Sequence, residues 1–173
     1  MPRKNIYKKI LYLAVIFFVI AIIFKLKADH YVTPASQNQA SIQVARQTPL
    51  VQINEVNIPV ELATTSAAVQ KGLSGRLSLD SDKGMLFVFS RPAIYRFWMP
   101  DMHFPLDIIW IKNGIIVDIS QNIPNIFDPK NPKFYTPSSP AQYVLEINAD
   151  FSKNKGIKIG DSVIFKNIDL LNK

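Results

Sequence analysis

The stretch Phe104-Pro-Leu-Asp-Ile-Ile-Trp-Ile-Lys-Asn-Gly-Ile-Ile-Val-Asp-Ile119 decides the fold. Two runs rich in β-branched and aromatic residues flank the pair Asn113-Gly114, and such runs favour strands. Asn-Gly between apolar runs is the strongest short signal for a β-hairpin, because both residues tolerate the positive φ of a two-residue turn. The stretch therefore predicts a hairpin with strands at Leu106–Ile111 and Ile115–Ile119.

Short apolar runs broken by Pro, Gly, Asn and Asp continue on both sides of this hairpin. Five prolines between Asn122 and Pro140 predict a long loop there rather than a central strand. Short helices are predicted at Ser66–Lys71, capped by Thr65, and at Asp150–Asn154. Further strands are predicted at Leu50–Ile53, Asn57–Ala63, Met85–Phe89, Ile94–Met99, Gln142–Ile147 and Ser162–Ile168. The elements predict a mostly β domain over residues 49–173, a compact antiparallel sandwich or barrel with one or two short helices.

One acidic residue, Asp107, interrupts the apolar run that opens the hairpin. Simple alternation places it on one strand face with Ile109 and Ile111, and the opposite face is also apolar. A carboxylate in a strand covered on both sides needs hydrogen-bond donors. Arg76 is the first candidate partner, and Trp98 Nε1 or backbone N–H groups are the second.

The positive charge of the chain is concentrated at its N-terminus. The 173 residues carry 20 basic and 13 acidic side chains, a net charge of +7. Residues 1–27 hold six of the basic residues and no acidic one, so the remainder carries fourteen against thirteen, or +1. A nearly neutral domain has no field to hold a phosphate backbone, which argues against nucleic acid as a partner. The absence of cysteine excludes a disulfide scaffold.

The N-terminus has the pattern of a membrane segment. Fifteen consecutive apolar residues run from Ile10 to Phe24, with four basic residues before them and two soon after. This pattern predicts a basic cytoplasmic end at 1–9, a transmembrane signal anchor at 10–26 and a flexible polar tether at 27–48. The charge asymmetry places the domain in the periplasm or outside the cell. A cleaved signal peptide is the alternative, although Thr33-Pro34-Ala35 is a poor cleavage site.

Ordered matches along the domain indicate a family. They include Gly72-Leu73, Arg76, Gly84-Met-Leu-Phe87, Phe97-Trp-Met99, Pro105-Leu-Asp-Ile-Ile109, Tyr143-Val-Leu-Glu146 and Gly160-Asp161. From about Val60 to Val163 the chain resembles domain-of-unknown-function family 192. The resemblance implies a compact β fold in a small exported or membrane-anchored prokaryotic protein, and it implies no particular reaction. The chain departs from the family after Met99, where Pro100-Asp101-Met102 replaces a usual Lys-Asn-Thr-like triplet.

Five residues are candidates for binding a small molecule or a component of the cell envelope. Trp98 and Tyr143 could supply stacking surfaces, and Arg76, Asp107 and Glu146 could supply directional hydrogen bonds. The competing interpretation is structural: the aromatic side chains fill the core, and Arg76 pairs with Asp107 or Glu146.

Two other functions remain open. One is a hydrolase that uses Asp107 and Glu146 as an acid and base pair. The other is Cu(I) handling through the soft ligands Met99 and Met102 with His103. The sequence has no phosphate-binding glycine loop and no zinc-ligand spacing, so no cofactor or metal is expected, and a binding role is favoured over an enzymatic one.

Overall fold

The computed structural model describes Ile22 and residues 48–168. The predicted anchor and tether lie outside the described residues, apart from Ile22, which is helical, and Thr48. In the described part of the chain, no helix combines the length and apolar character needed to cross a membrane. The elements are β1 Leu50–Ile53, β2 Val56–Ala63, α1 Ser66–Lys71, β3 Gly84–Ala93, β4 Leu106–Lys112, β5 Ile115–Ile123, β6 Ala141–Asn148, α2 Phe151–Asn154 and β7 Val163–Lys166.

The seven strands form one curled sheet in the order β5-β4-β6-β3-β2-β1-β7. The mostly β class with two short helices is confirmed, but the sheet is a half-barrel rather than a sandwich or a closed barrel. Its two edge strands approach each other at one end, where Ile115 bridges Ser162 and the Val163 N–H donates to the Gly114 carbonyl at 2.8 Å. The predicted hairpin is present, with strands β4 and β5 paired antiparallel around Asn113-Gly114.

The expectation of a purely antiparallel sheet is wrong at one place. Strands β2 and β3 are parallel, with Val60 beside Gly84 and Ala63 beside Phe87. The chain leaves β2, passes through α1 and returns in the same direction, and a crossover of this kind produces parallel neighbours. The N-cap that the sequence predicts for α1 is confirmed, since the Ala68 N–H donates to Thr65 Oγ1 at 3.2 Å.

The sheet is apolar on both faces. All seven strands contribute to one core cluster, whose members include Ile109 and Ile111, and we call this side the inner face. The opposite side, the outer face, carries Leu106, Ile108 and Trp110 with residues from β3 and β6. Helix α1 and the segments around residues 95–104 cover the outer face. Strand β4 is therefore buried on both sides, as its continuous apolar sequence predicts.

The predicted strand Ile94–Met99 does not form. Within residues 94–99, Phe97 alone forms a β-bridge, and it exchanges backbone hydrogen bonds of 2.9 and 2.8 Å with Tyr135. Strand β3 already has β2 and β6 as its two neighbours, so no sheet edge is left there for a further strand. The segment instead crosses the outer face, where the Phe97 ring packs edge-on against Phe87 and Trp110 at centroid distances of 4.9 and 5.4 Å.

Asp107 is fully buried on the inner side of β4 and fixes the second helix to the sheet. Its carboxylate accepts bonds from the backbone N–H groups of Asn122 at 2.8 Å, Asp150 at 3.2 Å and Ser152 at 3.0 Å. The Ser152 hydroxyl donates a fourth bond at 2.6 Å. The prediction that Arg76 is the partner is wrong. Of the two second candidates, backbone N–H groups are confirmed, and Trp98 Nε1 is not among the donors that the described residues provide. Arg76 lies on the outer face and forms a bidentate pair with Glu61 at 2.6 and 2.7 Å.

Candidate functional site

A cavity of about 240 Å³ opens on the outer face. Its boundaries are the C-terminal end of α1, the outer side of β3 and β6, and the segment that crosses the sheet. It is larger than the roughly 150 Å³ hole that holds benzene and smaller than the roughly 300 Å³ at which drug-sized sites begin. The cavity therefore has room for about one ring-sized molecule.

Gly72 keeps the cavity open where α1 ends. Its φ of 48° and ψ of −135° lie in a region that side chains with a Cβ rarely adopt. A Cβ at this position would lie 3.3 Å from Phe87 Cζ and 4.0 Å from Glu146 Oε2. The lack of a side chain at residue 72 thus leaves space directly above an aromatic ring and a carboxyl group.

Glu146 is the polar group at the floor of the cavity. It lies on β6 between Met85 of β3 and Ile108 of β4, and only 5% of it is exposed. Within residues 48–168, its carboxyl group has no hydrogen-bond or ion-pair partner. Burial therefore raises the pKa of Glu146 to about 8, because ionisation in an apolar environment is costly. At neutral pH the group is protonated, and it can donate one hydrogen bond and accept others.

Aromatic side chains form the walls. Phe87 and Phe97 meet edge to face, and Phe89 stacks on Tyr95 with a centroid distance of 3.6 Å. The Tyr95 hydroxyl donates to the Arg91 carbonyl at 2.7 Å, which fixes the ring from the other end. These contacts fix the wall residues against one another.

The rim of the cavity carries an exposed tryptophan and a cation. Trp98 is 48% exposed, stacks on Phe134 at 5.6 Å with an interplanar angle of 12°, and meets the Phe127 ring edge-on. The Arg96 guanidinium lies 4.0 Å from the centre of the Phe134 ring. Since both Trp98 and Arg96 also line the cavity, the rim offers a flat apolar surface beside a positive charge.

The structure brings together two of the five predicted site residues, Trp98 and Glu146. Arg76 is on the same face of the sheet but is paired with Glu61 and does not line the cavity. Asp107 and Tyr143 lie on the inner face, where the Tyr143 ring packs against Phe165 at 4.6 Å.

The geometry contradicts the hydrolase hypothesis. Asp107 on β4 lies opposite Ile147, and Glu146 on β6 lies opposite Ile108. The two carboxyl groups are thus one residue out of register and project from opposite faces of the sheet. They cannot act as an acid and base on one substrate.

The three residues of the copper hypothesis lie in different environments. Met99 is buried in the outer core, Met102 lines the cavity, and His103 is exposed with Nε2 3.7 Å from Asp101 Oδ1. Methionine in such positions fills gaps between apolar side chains. Over the described residues, no group of three or more His, Asp or Glu side chains could hold a metal ion.

Sequence reasoning missed most of the wall and the rim. The segment Tyr95-Arg-Phe-Trp98 combines three aromatic residues with an arginine, and we interpreted it as part of a strand. Its density of aromatic residues next to a charge is the signal that could have identified a site. The contribution of Phe87 and Phe89 follows from alternation in β3, which places them on the same face as Glu146.

The fold and its motifs define a known class of small β domain. The profile of domain-of-unknown-function family 192, described as uncharacterized ACR, matches residues 49–165, and the chain belongs to this family. No functionally curated protein matches it.

Two crystal structures are similar to the chain. One is a protein of unknown function from Novosphingobium aromaticivorans DSM 12444, 32% identical, with a TM-score of 0.59, covering 66% of this chain and 83% of its own. The other, from Sinorhizobium meliloti 1021, is described as a "putative transcription regulator"; it is 28% identical, with a TM-score of 0.60, covering 69% of this chain and 93% of its own.

Proposed function

We propose that this protein is a binding module that takes a small ligand, free or as part of a cell-envelope component, into the cavity above Glu146. The observation that carries the proposal is the buried carboxyl group without a hydrogen-bond partner in the described part of the chain. Among the described residues, no side-chain N or O atom is both inaccessible and without a partner, so the Glu146 oxygens reach the open space of the cavity, where a ligand can bond to them. The neighbouring Asp107, with four donors, illustrates how the same fold satisfies a structural carboxylate.

The surroundings of Glu146 support binding rather than catalysis. A ligand site is commonly apolar and aromatic with a few polar groups that fix orientation. Phe87, Phe97 and Trp98 provide apolar area, while Glu146, Ser74 and Gln70 provide hydrogen-bonding groups along the lining. Glu146 is the one carboxyl group on this lining, so the pair of carboxyl groups that the hydrolase hypothesis requires is not brought together there.

The proposal includes the location that the N-terminal sequence suggests. Residues 10–26 would anchor the protein in the cytoplasmic membrane and residues 27–48 would hold the domain in the periplasm or outside the cell. Four basic residues before the apolar run, against two after it, support this orientation. Protease added to intact spheroplasts should remove the domain, and protection of the domain would contradict the orientation.

Thermal unfolding of the full-length chain in detergent micelles tests the binding proposal. Neutral, acidic and amino sugars, amino acids and nucleotides would be added separately, because a ligand that binds the folded state raises the melting temperature. At 100 times the dissociation constant the gain is about 2.7 kcal/mol. We expect one class to stabilise the wild type and not Glu146→Leu.

The control variant is Asp128→Asn, which changes an exposed carboxylate in a loop outside the cavity lining. It should show the same ligand response as the wild type. A response of equal size in Glu146→Leu would contradict the assignment of the site, and the absence of any response in the wild type would contradict the binding function.

A further inference from the structure

We propose that the ligand of the Glu146 cavity is an acidic sugar, a pyranose ring that carries a carboxylate. This inference rests on the proposed binding function and assigns a role to each part of the cavity. The ring would lie against the exposed tryptophan, a hydroxyl or ring oxygen would bond to Glu146, and the carboxylate would face Arg96.

The first step is the size and character of the space. The cavity of about 240 Å³ accepts a single ring, and one side of its rim is the exposed Trp98, supported from behind by Phe134 at 5.6 Å and by Phe127 at 5.6 Å. A supported flat ring at a rim suits a ligand with an apolar ring face. The C–H face of a pyranose has this character, and its hydroxyl groups project around the edge towards polar partners.

The second step is the protonation state of Glu146, the polar group at the floor of the cavity. The Glu146 carboxyl group is buried and, among the described residues, no cation lies at ion-pair distance from it. Burial keeps it protonated at neutral pH, since its pKa is about 8. A neutral carboxyl group donates its O–H to a hydroxyl or ether oxygen and accepts from a hydroxyl, but it has no net charge to attract an amine.

The third step is the charge at the rim. Arg96 is exposed, lines the cavity and has no ion-pair partner within residues 48–168. Lys71 also lines the cavity, but the negative charge of Asp101 partly offsets its positive charge. Both charged groups lie next to Gly75, where an added Cβ would be 3.1 Å from Lys71 Nζ and 3.0 Å from Asp101 Oδ2. The lining is therefore net positive, which favours an anion over a cation. Guanidinium and carboxylate match in geometry as well as in charge.

Glucose and two sugars that each differ from it in one substituent test this inference. Full-length protein in detergent micelles would be titrated with glucose, glucuronate and glucosamine, with tryptophan fluorescence as the readout. The chain has two tryptophans, and Trp110 is fully buried in the outer core, so Trp98→Phe identifies the responding residue. We expect glucuronate to bind about tenfold more tightly than glucose, and glucosamine to bind most weakly.

Variants separate the two polar contacts. Arg96→Ala should reduce the preference for glucuronate over glucose about tenfold, whereas Lys166→Ala, which removes one positive charge from β7 outside the cavity lining, should leave it unchanged. Glu146→Gln retains a neutral hydrogen-bonding group and should bind glucuronate within about threefold of the wild type. Glu146→Leu should bind it at least about tenfold more weakly.

The outcomes distinguish this inference from the function on which it rests. Tightest binding of glucosamine, with loss in Glu146→Gln, would show a cationic ligand and overturn the acidic-sugar assignment while supporting the binding function. Equal binding of glucose and glucuronate would also overturn it. No binding of glucuronate overturns the inference alone, because the broader thermal screen decides the binding function separately.

Discussion

Asp107 and Glu146 lie on adjacent strands one residue out of register, and their carboxyl groups project from opposite faces of the sheet. Asp107 accepts four hydrogen bonds on the inner side, and Glu146 accepts none from the described residues on the outer side. The first group holds a helix in place, and the second faces a cavity. Two neighbouring strands thus carry one carboxylate with a structural role, Asp107, and one carboxyl group that is a candidate for binding, Glu146.

Replacing Asp107 should destabilise the fold. Asp107→Asn keeps the shape but presents an amide donor towards groups that are themselves donors, and we expect a loss of about 1–3 kcal/mol in the free energy of unfolding. Asp107→Ala should lose at least as much. Urea unfolding measures the change, with Asp128→Asn as the exposed control. A loss below about 0.5 kcal/mol in both Asp107 variants would show that the four bonds contribute little.

Replacing Arg76 should have a small effect. Its ion pair with Glu61 is exposed, with 36% and 54% of the two side chains accessible, and pairs of this kind contribute up to about 1 kcal/mol. We therefore expect Arg76→Ala to reduce the free energy of unfolding by less than Asp107→Asn does. A larger loss in Arg76→Ala than in Asp107→Asn would show that the exposed pair with Glu61 contributes more to stability than the buried hydrogen bonds of Asp107.

The stability of the wild type should fall as the pH rises from about 5 to about 8. The pKa of Glu146 is raised in the folded state from the 4.5 of an unperturbed carboxyl group to about 8, so over this range the folded state holds a proton that the unfolded state has lost. The slope is at most about 1.4 kcal/mol per pH unit. Above pH 8 both states are ionised at this residue, and below about pH 4.5 both are protonated, so the contribution is constant there.

Glu146→Gln is the matched control for this pH dependence. The variant should gain stability relative to the wild type with rising pH, and subtracting the two curves removes the titration of all other groups. The charged groups near Glu146 are Lys71 and Arg96 on the cavity lining and the Glu61–Arg76 pair on the same face. A constant difference between the two curves from pH 5 to 8 would contradict the buried, unpaired state of Glu146.

Gly72→Ala should destabilise the protein and narrow the cavity. A methyl group at this backbone conformation would lie 3.3 Å from Phe87 Cζ, so we expect a loss of about 1–2 kcal/mol. Gly156→Ala is the comparison, because φ is 67° there and nothing lies within 4 Å of the added Cβ. Urea unfolding should show the larger loss at residue 72, and equal losses would mean that the Phe87 ring moves freely away.

Local signals predicted most of the fold. The Asn113-Gly114 turn, the Thr65 cap and the apolar character of both faces of β4 are each encoded within a few residues, and all are confirmed. The parallel pairing of β2 and β3 depends on where the α1 crossover returns the chain, and no short pattern encodes that path. The segment 94–99 has strand-forming residues but no free sheet edge beside it, so tertiary structure overrides its propensity.

The candidate site was predictable only in part. Trp98 and Glu146 were expected at a site from their chemistry, and they line the same cavity. The other three candidates have equally suitable chemistry but do not line the cavity. Strand register places Asp107 and Tyr143 on the inner face, and Arg76 is paired with Glu61. A one-residue shift between β4 and β6 moves a side chain to the other face of the sheet, and sequence alone does not give that register.

A titration of the Glu146 carboxyl carbon by NMR decides whether the cavity floor is a buried, unpaired acid. The chain contains three glutamates, Glu55, Glu61 and Glu146, so labelling glutamate alone gives three side-chain signals, and Glu146→Gln identifies one of them. We expect that signal to change with a midpoint near pH 8, and to change at a different pH when a ligand occupies the cavity. A midpoint near 4.5, unaffected by any ligand, would place the carboxyl group in water and contradict the proposed site.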